Sequence, residues 1–161
     1  MTSNSNGPRV AVAPRLEFLA TLRIEVAPAV EVGPTPEGAR RIIPIVGGSV
    51  EGPELRGTVL PAGADFQILR SDTLTELQAE YAIETDDGQR IYVSNYGLRT
   101  GSAEDIARLV RQEPVDPERI YFRCTPRMRA QGKWGWLSSR ILVGRGERAP
   151  GSVLLDFFVV E

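Results

Sequence analysis

Between residues 46 and 72 the chain carries five glycines, at 47, 48, 52, 57 and 63, and two prolines, at 53 and 61. No helix tolerates that punctuation. Glycine permits positive φ and close backbone approach, and proline cannot donate to an inner ladder, so the stretch reads as short strands joined by tight corners. The strands are expected near 54–60 and 64–70. Asp65 enters the second of them directly after the corner Pro61-Ala62-Gly63-Ala64. Such a carboxylate either closes a turn by bonding its own backbone or is aimed into a cavity.

The flanking sequence alternates with the period of a half-buried strand. Leu16, Phe18, Ala20, Leu22, Ile24 and Val26 face Glu17, Thr21, Arg23 and Glu25 across the backbone. Leu77, Ala79, Tyr81 and Ile83 oppose Gln78, Glu80, Ala82 and Glu84 in the same way. Pro28, Pro34 and Pro36 reduce the intervening chain to an irregular or edge segment, and Pro44 gives the strand over 38–46 an edge position or a bulge. Asp87-Gly88 between two alternating runs, 74–85 and 90–98, predicts a hairpin because that turn needs positive φ. One helix is expected. Ser102 to Asp105 resembles a capping box, and Ile106, Leu109 and Val110 form a helical stripe before Pro114. Later strands are expected over 119–125, stopped by Pro126, and over 134–143 and 153–160 around the loop 144–151.

About nine strands with a single helix and no βαβ alternation point to an antiparallel barrel or sandwich. The 161 residues suit one domain, expected over 15–161 behind a flexible leader at 1–14. Net charge is −2, with 19 basic against 21 acidic residues, so there is no basic field of the kind that attracts nucleic acid or an anionic membrane. The opening residues do not make a signal peptide, and no apolar run reaches the length of a bilayer span. Cys124 is the one cysteine and histidine is absent, which removes an intrachain disulfide, a Cys/His zinc site and histidine-based triads. A cytoplasmic protein with no cofactor is expected. Any acid–base chemistry falls to Asp, Glu, Tyr, Arg or Lys.

Four motifs in order support a family resemblance. They are Gly47-Gly48 through Gly52-Pro53, Gly57 and Leu60 to Asp65; Tyr81 with Thr85 to Gly88; Tyr121 to Pro126; and Trp136-Leu137 with Val143-Gly144. Together they resemble the domain of unknown function 3237 family over nearly everything from Leu16 to Val160. The resemblance implies a single antiparallel β-barrel of about nine or ten strands. It also implies self-association, as a homodimer or higher homo-oligomer, and a link to ring-forming or isomerising steps on aromatic or polyketide-like compounds. Phe66, Glu80 and Ser138 stand where the family usually carries Trp, Arg and Asn.

A barrel of this size is filled by side chains or holds one small ligand. Asp65 is the candidate general base. Tyr81 or Glu80 is expected to assist it, and strand alternation lets only one of the two share its face. Arg123, in the otherwise apolar run Ile120 to Thr125, needs a counter-charge such as Asp65 or Glu80 if it is buried, and would then stabilise an oxyanion or clamp a carboxylate. Phe66, Tyr96, Tyr121 and Trp136, with Tyr92 and Trp134, are candidate pocket walls or plain core. Cys124 reads as a buried small hydrophobe. These residues predict a cofactor-independent isomerase, cyclase or lyase working by proton transfer beside a carbonyl. The alternatives are a non-catalytic small-molecule-binding barrel and an assembly module with a filled lumen.

Overall fold

The computed structural model describes residues 7–161. Residues 7–14 are exposed and without regular structure, and the first six residues of the expected leader lie outside the described residues. Nine strands follow: β1 (Leu16–Val26), β2 (Val30–Thr35), β3 (Gly38–Glu51), β4 (Arg56–Leu69), β5 (Leu74–Thr85), β6 (Arg90–Thr100), β7 (Tyr121–Arg129), β8 (Leu142–Ala149) and β9 (Ser152–Val160). One α-helix, α1 (Ala103–Val110), sits between β6 and β7, and 3₁₀ turns at Pro117–Arg119 and Gly132–Ser139 flank β7. Ser102 caps α1 by accepting from the Asp105 backbone N–H.

The strands neighbour one another in the order β1-β9-β8-β7-β6-β5-β4-β3-β2, and β1 also pairs with β3. Eight strands therefore close on themselves, all antiparallel, and β2 remains outside as a short edge strand on β3. Closure depends on β3 serving two partners, β2 over Gly38–Ile42 and β1 over Ile45–Glu51. Within the second half, β3 loses its β4 pairing between Pro44 and Ser49 and bulges there through Gly47-Gly48. A Cβ on Gly48, whose φ is +145°, would lie 2.0 Å from the Arg23 carbonyl oxygen, so only glycine lets β1 come this close.

Several expected boundaries shift: β8 occupies most of the loop expected over 144–151, leaving a tight turn before β9, and β6 runs past Leu98 to Thr100. The glycine corner in the middle of β4 does not end the strand. Its pairing with β5 skips between Val59 and Gly63 and resumes, so the corner is a bulge that bends one long strand. Pro126 does not stop β7, because pairing with β8 is confined to Arg123↔Arg145 and Cys124↔Gly144. Beyond Cys124 that side of β7 is locally an edge, where a missing N–H is tolerated. Residues 132–139 are not strand: the 3₁₀ turn there drives Trp134 and Leu137 into the end of the barrel.

The interior has two halves. At the end marked by the β5–β6 turn, Tyr81, Ile83, Ile91, Val93, Met128, Trp134, Leu137, Leu142 and Val159 fill the lumen as hydrophobic core. Toward α1, β8 turns Gly144 and Gly146 inward, and neighbouring rings take the space. A Cβ on Gly146 would lie 2.6 Å from the Phe122 ring, and one on Gly144 would lie 2.9 Å from Phe157. Above these rings the lumen is not filled.

Candidate active site

The unfilled part of the lumen is a cavity of about 40 Å³. Its polar wall is Asp65, Gln67, Asn95, Arg99 and Arg148, and its apolar wall includes Ile24, Ile43, Leu77, Phe122 and Leu155. Alternation explains the set. Asp65 and Gln67 are inward positions of β4. Asn95, Gly97 and Arg99 continue on β6 the inward series begun by the buried Ile91 and Val93. The register places Ala79 of β5 between Asp65 and Asn95, and its small side chain leaves the room.

Asp65 is tied on one side only. Gln67 Nε2 donates to its Oδ2 at 2.8 Å, and the Gln67 Oε1 accepts from Arg41 Nη1 at 3.4 Å. Arg41 is itself held by Glu31 at 2.8 Å and donates to the Val110 carbonyl at 3.4 Å. A chain of contacts thus runs from β2 through β3 to the cavity, leaving Asp65 Oδ1 without a protein partner. Burial raises the Asp65 carboxyl above its ordinary range, against the Gln67 bond and the weaker pull of Arg99 and Arg148.

Arg99 is 2% exposed, and its guanidinium carbon lies 5.9 Å above the centre of the Phe122 ring. No protein group accepts from its enclosed Nε or Nη1. Among the described residues no carboxylate pairs with it at 4.0 Å or less. Burial pushes its pKa down to about 10, with Asp65 pulling the other way. Asn95 Oδ1 is likewise enclosed without a partner. Arg148 stands at the rim, donating to the Ala149 and Ser152 carbonyls at 2.8 Å and to Gln112 Oε1 at 3.1 Å. The Arg41–Val110 and Arg148–Gln112 contacts bind the end of α1 and its following turn across this mouth.

The other sequence-predicted residues are distributed as follows. The structure overturns the expectation that Arg123 faces Asp65. Phe122 and Cys124 point inward, so Arg123 points out, where its guanidinium lies 5.0 Å over the Tyr121 ring. Glu80 is on the outer face, accepting from Ser94 at 2.8 Å and from the Tyr92 hydroxyl. Tyr81 therefore shares the inner face with Asp65, but it belongs to the packed half. Its hydroxyl has no protein partner, and burial raises its pKa well above the ordinary value. Phe66, Tyr96, Tyr121 and Trp136, expected as pocket walls, are 44%, 42%, 54% and 41% exposed and lie outside the lumen. Tyr96 and Tyr121 instead flank an open outer groove with Arg123 and Phe158. Cys124 is buried, its thiol pushed up to about 11 by desolvation. The residues that sequence reasoning missed are Arg99, Asn95, Gln67, Arg148 and Arg41.

An eight-stranded antiparallel barrel, sealed by core at one end and holding a carboxylate and a guanidinium at the other, is the class that fold and site define. The family model described as protein of unknown function (DUF3237) matches residues 14–160, and the chain belongs to that family. A UPF0311 protein of Rhodopseudomonas palustris is 48% identical over 141 residues, covering 86% of this chain and 90% of the relative. The crystal structure of a conserved protein of unknown function from the same species superposes with TM-score 0.90 at 41% identity, covering 94% of this chain and all of the other. A β-barrel like protein of Acinetobacter baumannii gives TM-score 0.81 at 37% identity, over 98% of this chain and 100% of that one. A structure described as an enzyme from Penicillium herquei shares the fold, with TM-score 0.71 at 20% identity over 96% and 99% of the two chains. No helix among the described residues is long and apolar enough to cross a membrane.

Proposed function

We propose that this protein is a cofactor-independent isomerase, cyclase or lyase that moves a proton beside a carbonyl of a small substrate held in the barrel cavity. The observation that carries this reading is the set of enclosed polar atoms around one cavity, Asp65 Oδ1, Asn95 Oδ1 and Arg99 Nε and Nη1, none with a protein partner. Buried polar groups are ordinarily satisfied, and the convergence of four partnerless atoms from three side chains on one cavity supports a ligand there. Asp65 is the proton carrier. Burial moves its carboxyl toward the pH at which a group both accepts and returns a proton, and Gln67 fixes Oδ2 so that Oδ1 is the reacting atom. Arg99 stabilises the negative charge that grows on the carbonyl oxygen, in surroundings where such charge is poorly screened. The Penicillium herquei neighbour described as an enzyme agrees with a catalytic use of the barrel.

The cavity, about 40 Å³, is smaller than the roughly 150 Å³ that admits benzene, so it takes the reacting head of a substrate. The aromatic or polyketide-like remainder expected from the family lies toward the α1 mouth. Screening phenolic enones and aromatic acids for conversion and for exchange of the substrate C–H with D₂O tests the reading. Asp65→Asn should abolish both while leaving circular dichroism unchanged. Equal loss of folding would make Asp65 a structural group. A thermal shift with no conversion or exchange by any member would leave the binding-barrel alternative in its place.

A further inference from the structure

The charges around the cavity do not balance. Arg41 is neutralised by Glu31 at 2.8 Å, and Arg148 at the rim spends its donors on two carbonyls and Gln112. Arg99 has neither counter-ion nor acceptor on Nε and Nη1. The one carboxylate lining the cavity, Asp65, already accepts from Gln67, and burial opposes its ionisation. The free protein therefore keeps an enclosed positive charge with unused donors, which is costly unless a ligand brings the negative charge with it. Arg99 is the one guanidinium of the cavity wall with enclosed donors unused, and one such fork matches one carboxylate. Asn95 Oδ1, an enclosed acceptor without a donor, asks the same ligand for a hydroxyl.

We propose that the ligand is a small organic monocarboxylate with a hydroxyl or enol group on the adjacent carbon, its carboxylate on Arg99 and its hydroxyl on Asn95 Oδ1. This rests on the cavity being the working site, as argued above, and adds the charge and class of what enters it. Arg99 then recognises the substrate before reaction, and its hold tightens as charge grows on the same oxygens.

The test compares glycolate with glycolamide, which keeps the hydroxyl and the shape but not the charge, by thermal shift and calorimetry. Wild type should bind glycolate at least about tenfold more tightly, the scale of one charged hydrogen bond. Arg99→Met should lose that preference, and Arg99→Lys, which keeps the charge, should retain much of it. Asp65→Asn, which leaves Arg99 and its free donors in place, should keep it. Equal binding of the two probes, absence of glycolate binding, survival of the preference in Arg99→Met, or protection by chloride or phosphate equal to that by glycolate would each overturn the proposal. The two readings fail separately. If Asp65→Asn keeps turnover, the proton-transfer role falls while the carboxylate preference stands. If the preference is absent while Asp65→Asn still abolishes exchange, only the substrate class falls.

Discussion

Replacing Arg99 should make the free protein more stable, and the sign of that change separates a ligand-binding guanidinium from a structural one. Arg99 is 2% exposed, and no protein group accepts from its Nε or Nη1. A buried donor left without a partner costs about 1–3 kcal/mol, and replacing buried ions by apolar groups of similar volume stabilises by about 1–4 kcal/mol. Arg99→Met keeps an unbranched stem of similar reach. Two losses oppose the gain. The stacking over Phe122, at 5.9 Å, is worth about 0.5–2 kcal/mol. The attraction to Asp65 is lost too, but that carboxyl can take up a proton instead. The net expectation is a gain of about 1–3 kcal/mol. For a chain of 161 residues that is a rise in Tm of about 3–10 °C. Water entering the cavity to serve the guanidinium would bring the gain to the lower end. Urea denaturation in buffer without carboxylate anions measures it, with an unchanged m-value required so that the shift reports stability. A loss of more than about 1 kcal/mol would refute the reasoning, since it would mean that Arg99 holds strands together through contacts worth more than its desolvation.

Asp65→Asn should stabilise the protein at neutral pH by an amount that vanishes in acid. The folded-state pKa is raised above the ordinary 3.8, so the folded state binds the proton more tightly; the resulting stability is complete below 3.8 and is lost as pH climbs through the folded value. Parallel pH–stability curves for the two proteins would contradict this. Gly63→Ala should destabilise by about 3 kcal/mol, because the residue has φ +109° and its Cβ would lie 2.1 Å from the Glu80 carbonyl oxygen, at the bulge that delivers Asp65; urea midpoints check it. Cys124, with its thiol pushed up to about 11, should resist iodoacetamide at neutral pH in the folded protein and react only on unfolding, as mass spectrometry would show. The exposed apolar group of Leu16, Phe18 and Ile141, at 56%, 41% and 72%, supports the expected self-association, and sedimentation should find an assembly larger than the monomer.

The fold was legible because its determinants are local. Period-two alternation in 16–26 and 74–85, the Asp87-Gly88 turn and the cap at Ser102 each specify one element from a few adjacent residues. The errors fell where a distant partner decides. Pro126 looked terminal because the sequence does not reveal that β8 pairs with β7 at only two positions. Asp65 was legible as a candidate through the glycine corner before it. Arg123 stands out as its partner because it is a charge in an apolar run, yet the same alternation, read from Phe122 and Cys124, turns Arg123 outward. The usable signal lay in β6. Ile91 and Val93 set an inward parity that continues through Asn95, Gly97 and Arg99, and ending that strand at Leu98 hid the guanidinium by one residue. The Arg41–Gln67–Asp65 chain had no local signal, since it depends on the β3–β4 register.

The two halves of the lumen explain how the barrel sustains so unfavourable a site. An enclosed guanidinium and a carboxyl whose ionisation burial disfavours both oppose folding, and neither repays its desolvation with a direct ion pair. The opposing term comes from the sealed end, where Ile83, Ile91, Met128, Leu137 and Leu142 are essentially without exposure, each side chain contributing about 1.5–3 kcal/mol by burial. That end shares strands with the site but not its side chains. β5 carries Ile83 and Tyr81 below and Leu77 and Ala79 above, and β6 carries Ile91 and Val93 below and Asn95 and Arg99 above. Each strand is thus held in register by its apolar half while its other half presents polar groups at fixed spacing around the cavity. Rigidity supplied from one end is what allows unsatisfied groups to persist at the other, where the surrounding structure would otherwise collapse onto them. The mouth is closed by a separate set of contacts: α1 and its following turn reach the rim through Arg41 and Arg148 and bury Ile106 and Leu109, which are not among the side chains of the sealed half, so opening that end breaks these contacts and leaves the sealed half intact.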